Sequence, residues 1–355
     1  MSLCAKAVRP EALKAFCIEA MTQGGLNAKD AEITAEVLVK TDTWGVYTHG
    51  SKQVRGLMKN YRDKRMDINA SAKVIGEGAS WGLIDDCHAM PMPTSVMAME
   101  MAIEKAKKTG IAYVTVRDSG HYGGAGYYAN MAAEKDMIGL SFTNVDPGVA
   151  VPGSRVPVMG TNPVAYAAPA DKEYPVMLDI ATSVVAASKV FAAKELKKPI
   201  PEGLIIDKDG LPTTDPSGYP EAGALMPMAG HKGYGIALMV EIFTGILAGG
   251  AFGNQVTSWV KEMSEPVNQS HAFMAINIGA FMPIEQFKQR MDQLIQFIKN
   301  VPKAKNADRI YLPGEMEWES RTKALQSGMI LPDHVMIRLQ GLADDFGISI
   351  NKIYQ

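Results

Sequence analysis

The segment Asp118–Asn130, "DSGHYGGAGYYAN", decides the fold, because it admits two incompatible readings. The apolar run "IAYVTV" (111–116) before it predicts a strand, and "YYANMAAEKD" (127–136) turns helical in pattern. A glycine-rich loop between strand and helix is a common seat for nucleotide phosphates. Gly124, Gly126 and Ala129 fit G-x-G-x-x-A, and Asp146 follows about twenty residues on, as in a dinucleotide fingerprint. The fit fails on mechanics. In that motif the first glycine turns the chain directly off the strand end, whereas "RDSGHYG" separates Val116 from Gly124. The helix must also press against the sheet, and Tyr127 and Tyr128 crowd that point. The glycines then either turn the chain and do nothing more, or make room around His121, which Gly120 and Gly123 frame. Histidine exchanges a proton near neutral pH with little tuning, and flanking glycines admit a ligand closely. A lone histidine is more often structural, so His121 needs company.

Outward from this loop the texture is mixed. Helical spacing runs through 9–25, 27–45 (Asn27 as N-cap) and 51–63, so the first ~65 residues read as all-helical. Strands are expected at 72–78, 81–86, 111–116, 138–144, 164–169, 175–180 and 271–281. Helices are expected at 93–110, 231–249 (buried), 284–300 and 330–347. The loop-rich stretch 195–230 reads as a surface excursion or lid. The fold class is therefore α/β: a non-Rossmann mixed sheet with helices, plus a helical domain built from both chain ends. We expect residues 1–70 and about 300–355 in the helical domain and 71–299 in the central catalytic one.

Composition narrows the function. With 47% apolar residues among 355, a sizeable core is available, and the length prior of ~150 residues per domain gives about two domains. A net charge of −2, from 36 basic and 38 acidic residues without a basic run, argues against nucleic acid and anionic membranes as partners. Cys4, Cys17 and Cys87 form no C-x-x-C pair, which fits a reducing, cytoplasmic setting. No signal-peptide core opens the chain, and the apolar stretch 235–252 carries Glu241 and several glycines, so a buried helix is expected there rather than a membrane span. The six histidines show no H-x-H or H-E-x-x-H spacing, so no metal site is expected.

Four stretches supply the company. "YTHGS" (47–51) puts His49 beside Thr48, whose hydroxyl can orient the ring. "VMGTNPVAYAAPA" (158–170) holds a Gly-Thr-Asn-Pro turn, and "PVMLDIATS" (175–183) ends an apolar run on Asp179. "GHKGYGIALMVEIFTG" (230–245) opens a helix with Lys232 and Gly233. Each has a bland alternative: a plain turn, a helix cap, a solvated charge. Taken in this order, with "PTTDP" (212–216) and "YLPGE" (311–315), they resemble the malate/L-lactate dehydrogenase family that is unrelated to the Rossmann-fold lactate and malate dehydrogenases. That family includes ureidoglycolate and sulfolactate dehydrogenases, diketogulonate reductase and piperideine-2-carboxylate reductases.

The resemblance implies a homodimer that uses NAD or NADP without a Rossmann domain. It implies hydride transfer between a 2-hydroxy acid and its 2-oxo acid, with malate/oxaloacetate favoured over ureidoglycolate, lactate, sulfolactate or a cyclic imine acid. Matched to its motifs, His49 is the acid/base, with Thr48 and Asp179 as relay partners, and His121 is a second proton-transfer histidine. Asp179, Ile180 and Ala181, Lys232 with Gly233, Gly314, Glu315 and Met316, and the turn residues Thr161 and Asn162 are the cofactor-contacting candidates. Val145 falls where some relatives place a substrate-contacting serine. Many relatives carry H-G-x-x-R, whereas Gln53 stands fourth after His49 here; Lys52 or Arg55 is expected to take over the substrate carboxylate, with Arg155 a weaker candidate. "HAMPMPT" (88–94) also departs from the Gly-Gln pair frequent in relatives.

Overall fold

The computed structural model describes residues 6–258 and 263–355, which leaves Cys4 outside the described residues. The fold is mixed α/β. Its seven-stranded sheet runs β1-β2-β3-β12-β4-β7-β8. The strands are β1 (Lys73–Glu77), β2 (Trp81–Asp85), β3 (Ile111–Ser119), β4 (Met137–Thr143), β7 (Val164–Ala168), β8 (Val176–Ile180) and β12 (Gln269–Asn277). Only β2 and β3 pair in parallel; every other neighbour is antiparallel. This is a different topology from the doubly wound parallel sheet of a dinucleotide fold. A second, small sheet, β10-β9-β11-β5-β6, uses β5 (Val149–Ala150), β6 (Pro157–Met159), β9 (Ile205–Ile206), β10 (Pro212–Thr213) and β11 (Ala224–Leu225). The stretch 195–230 is thus no lid of loops: its strands close over Val149, Val190, Ile205 and Leu225.

Helices α4 (Pro91–Thr109) and α5 (Ala125–Ala133) pack on one face of the large sheet, and α2 (Ala28–Thr43) lies over both. Asn27 caps α2 by accepting the Asp30 N–H at 3.0 Å, as its sequence position predicts. Beyond α2 sit α1 (Pro10–Gln23), α3 (Val54–Arg62), α9 (Glu315–Ser327) and α10 (Asp333–Phe346). Both chain ends meet: Val8 bridges to Met329, and Lys352 pairs with Glu19 at 2.6 Å. One apolar core runs from Leu13 and Leu38 through Met99 and Val114 to Leu342. At ~25 cal/mol per Å², this uninterrupted burial is the main force joining the terminal helices to the sheet. α6 (Ala187–Glu195) packs on the small sheet, and α8 (Ile284–Lys299) follows β12.

The opposite face of the large sheet is covered by α7 (His231–Glu241), which continues into a π-helical turn, Ile242–Ile246. The expectation of one buried helix over 231–249 is corrected here. Only a narrow strip (Gly233, Ala237, Val240, Glu241, Thr244) faces the sheet, while Ile236, Leu238, Ile242, Phe243, Ile246 and Leu247 are exposed. An all-round apolar helix reads as buried, but the described residues cover only one side of this one.

Asp86 is fully buried just after β2, accepts the Thr94 hydroxyl with Oδ1, and leaves Oδ2 without a hydrogen bond among the described residues. Desolvation raises its pKa to about 7. Raised above the unfolded value of 3.8, the folded carboxyl holds its proton, so its stabilising contribution is full below 3.8 and lost as pH rises through 7. Asp86→Asn is therefore expected to gain stability relative to the wild type as pH rises from about 4 to about 7, by up to ~1.4 kcal/mol per pH unit, and to hold that gain above it. Thermal melts of both proteins across that range check it; a constant difference contradicts it.

Candidate active site

The loop after α2 carries His49, an exposed residue. Ser51 N–H donates to the Asp42 carboxylate at 2.9 Å. A Cβ on Gly50 would lie 1.8 Å from Asp42 Oδ1, so only glycine lets the chain pass between them. Thr48 Oγ1 sits 2.8 Å from His49 Nδ1, the orienting contact expected from the sequence. Gln53, buried at the usual arginine position, turns its amide back to donate to the Thr48 carbonyl.

The glycine loop brings His121 to the same place. Gly123 has φ +86°, and its backbone passes between Val37, Leu38 and the carbonyl of His49. Beneath it, His271 Nε2 lies 3.0 Å from Gly120 O and Nδ1 2.7 Å from Thr143 Oγ1. The carbonyl can only accept, so Nε2 carries the proton and Nδ1 accepts from the hydroxyl. Tyr122 stacks on the His271 ring, with centroids 4.3 Å apart and planes 4° apart. Tyr128 Oη donates to Tyr122 O at 2.6 Å. Pinned in this way, the imidazoles of His49 and His121 face each other, with centroids 5.4 Å apart and planes 25° apart. The two rings lie 72 residues apart in the chain and are stacked face to face by the fold.

Enclosure tunes both rings toward the neutral form. The residue His49 keeps an open edge, yet the protein around it removes water that would solvate an imidazolium; this, with the Lys52 charge second, brings its pKa down to about 4. His121 is held well below 6.5, first by desolvation, then by His49 and His271. Gly123 N–H points at His121 Nδ1 at 3.4 Å, leaving Nε2 to carry the proton of the neutral ring. At neutral pH the pair is therefore set to accept one proton, not to repel with two.

Asp179 corrects an expectation. Its carboxylate accepts the Gly126 N–H at 2.7 Å, whereas the His49 Nδ1 is taken by Thr48 Oγ1. The reason is geometric: β8 delivers Asp179 to the first turn of α5, where the backbone N–H groups need acceptors. Burial raises its pKa to about 6 against the lowering effect of that bond.

The cofactor candidates gather around β8. Thr182 N–H donates to Thr161 O at 2.8 Å, and Met228 N–H to Thr182 O at 2.9 Å, so Thr161, Ile180, Ala181 and the Lys232 turn share one rim. A Cβ on Gly233 would sit 2.0 Å from Met228 O, which explains the glycine. Lys232 is exposed at the start of α7 and makes no ion pair among the described residues. On the other flank of β8, Met177 N–H donates to Pro313 O at 3.1 Å, and Gly314 at φ +88° presses on Met177. Met316 is exposed beside it, whereas the Glu315 carboxylate is turned to Lys299 (3.3 Å) and its own turn. Asn162 is corrected as a contact residue. It is fully buried, and its side chain is consumed by Val145 N–H, Ala237 O and Glu241 Oε2 at 3.1, 3.1 and 2.9 Å. Its side chain thereby fixes Val145 and α7.

A profile of the malate/L-lactate dehydrogenase family matches residues 8–340. The chain belongs to that family. It is 38% identical to malate dehydrogenase of Pyrococcus horikoshii over 96% of either chain. The structure of sulfolactate dehydrogenase from Methanocaldococcus jannaschii superposes with a TM-score of 0.89 at 34% identity, covering 97% of this chain and 98% of that one. Ureidoglycolate dehydrogenase (NAD(+)) of Escherichia coli K12 is 31% identical over 89% of either chain. The chain is thus an oxidoreductase of the hydroxy-acid type.

Within this family frame, the substrate candidates separate. Arg55 is spent: Nε and Nη2 donate to the Asp345 carboxylate at 2.9 and 3.2 Å, so it clamps α10 instead of facing the histidines. Lys52 is half-buried, close enough for its charge to act on His49, and free of any hydrogen bond among the described residues. Arg155 is exposed against Gly210 in the small sheet's loops. His271 and Asp42 are the positioning residues that sequence reading missed. The only signal was a polar residue inside an apolar strand or helix face; their partners, Gly120 and Ser51, are named only by the fold.

Proposed function

We propose that the protein is a cytoplasmic, homodimeric, NAD(P)-dependent 2-hydroxy acid dehydrogenase, with malate/oxaloacetate as its substrate pair. The stacked His49–His121 pair carries this reading. Oxidation of a hydroxy acid needs a base for the hydroxyl proton, and a neutral imidazole held by Thr48 supplies one. In the reverse direction the same ring returns the proton to the forming alkoxide, while Lys52 holds a substrate carboxylate. A bound nicotinamide would supply or accept the hydride. The rim fits such a group: Lys232 is an exposed cation without an ion pair among the described residues, at a helix start where backbone N–H groups favour phosphate oxygens, and Ala181 adds little bulk to the rim. Burial beneath Asp179 and the Gly126 contact keep the His121 loop fixed as the ligand enters.

The exposed apolar strip of α7, from Ile236 to Leu247, supports the dimer, since a second copy would remove it from water. A panel of 2-oxo acids followed at the reduced-nicotinamide absorbance, with NADH and with NADPH, tests the reading. Oxaloacetate is expected to give the highest kcat/KM. No turnover of any 2-oxo acid with either cofactor contradicts it.

A further inference from the structure

Helix α10 lies across the Ser51–Gln53 turn and α3, and the contact has two rungs. On the first, Arg55 meets Asp345, and a Cβ on Gly341 would stand 2.1 Å from the Arg55 guanidinium, so the packing is tight and the charges complementary. One turn back on each element the charges no longer match. Lys52 precedes Arg55 by three residues, Arg338 precedes Gly341 by three, and His334 precedes Arg338 by four, so helix periodicity puts 334, 338, 341 and 345 on one face. Here cation faces cation. Arg338 and His334 are exposed and Lys52 half-buried, and none has a hydrogen bond or ion pair among the described residues.

Apart from Asp333, which is exposed and acts on His334, the nearby acids are committed elsewhere. Asp42 is buried and takes the Ser51 N–H, Asp345 serves Arg55 and Arg62, and Asp344 accepts from Gln340. The repulsion is felt at Lys52, which is lowered first by desolvation and then by Arg338, against a raising effect of Asp42; His334 is lowered by desolvation and then by Lys52, which favours its neutral ring and leaves Lys52 and Arg338 as the facing cations. Like charges left unmatched in an otherwise complementary contact destabilise it unless an anion sits between them. Lys52 also acts on His49, so the cationic rung begins beside the proton-transfer pair and extends outward along α10.

We propose that Arg338 of the C-terminal helix, beside the Lys52 that holds the first carboxylate, binds a second acidic group at the far end of the substrate, a carboxylate or a sulfonate, and thereby selects diacids over monoacids. This rests on the hydroxy-acid reading above. An arginine at this place compensates for the missing arginine of H-G-x-x-R from a different element.

The test measures kcat/KM for oxaloacetate, 3-sulfopyruvate and pyruvate in the wild type, Arg338→Ala and Arg338→Lys. In Arg338→Ala the diacid-to-pyruvate ratio is expected to fall ~10–100-fold, the range for losing a charge-assisted hydrogen bond, and Arg338→Lys to restore part of it. A larger fall on 3-sulfopyruvate than on oxaloacetate names the sulfonate; the reverse names the carboxylate. A general loss of folded protein lowers all rates together and does not move the ratio. An active wild type whose ratio is unchanged in Arg338→Ala overturns the inference alone; a wild type that turns over none of the three removes the hydroxy-acid reading and this inference with it.

Discussion

His49→Ala is expected to lose ~10²–10⁴ in kcat while still binding the reduced cofactor, because the substituted ring is the proposed proton carrier and not part of the cofactor rim. The Thr48 hydroxyl would lose its partner at Nδ1, and the facing His121 ring would lose its neighbour at 5.4 Å. The pH dependence has a defined sign. With its pKa lowered from 6.5 to about 4, the wild-type ring is neutral at pH 6, so hydroxy-acid oxidation should hold its rate there and fall only on approach to pH 4. Steady-state kinetics from pH 4.5 to 8 check both statements. Near-native turnover of His49→Ala would move the acid/base role to His121.

His271→Leu should cost ~2–3 kcal/mol of folding stability and lower kcat as well. The Gly120 carbonyl, buried in the described structure, loses the Nε2–H donor at 3.0 Å, and such an orphaned acceptor costs ~1–3 kcal/mol. Thr143 is better placed, since its hydroxyl can turn to Asn144 O at 3.0 Å. The face-to-face Tyr122 contact also changes character, and with it the support under His121. Burial lowers the His271 pKa to about 3, below the unfolded 6.5, so the stability it contributes is complete above 6.5 and lost as pH falls toward 3. The gap between wild type and variant, measured by urea unfolding, should therefore narrow below pH 6.5 and stay wide above it. Equal stability at pH 7.5 would show that the His271 contacts are dispensable.

These effects differ in how readily the sequence announces them. The β3–loop–α5 unit was legible because an apolar run, a glycine cluster and a helical pattern follow one another within 25 residues, 111–135. His49 and His121 could be named from their glycine-flanked settings, and their convergence is what the coordinates add. The small sheet was illegible because strands such as Ile205–Ile206 and Ala224–Leu225 are too short to show any alternation. α9 escaped for another reason: "EMEWESRTKALQS" buries little besides Glu315 and Ala324, so it has no apolar stripe to read. Asp179 could be singled out, but not its partner, because the N–H of Gly126 that it satisfies is a property of where α5 begins in space. The Lys52–Arg338 pairing is harder still: it joins two helices at opposite ends of the chain and has no local signature.

The account's central claim is that the two facing rings act as one proton-transfer unit. The direct measurement is kcat for wild type, His49→Ala, His121→Ala and the double variant with oxaloacetate and reduced cofactor. Residues that serve one step together are strongly non-additive, so the double variant is expected to lose little more than the worse single variant. Losses that multiply independently, or two single variants that both turn over at the native rate, would contradict it.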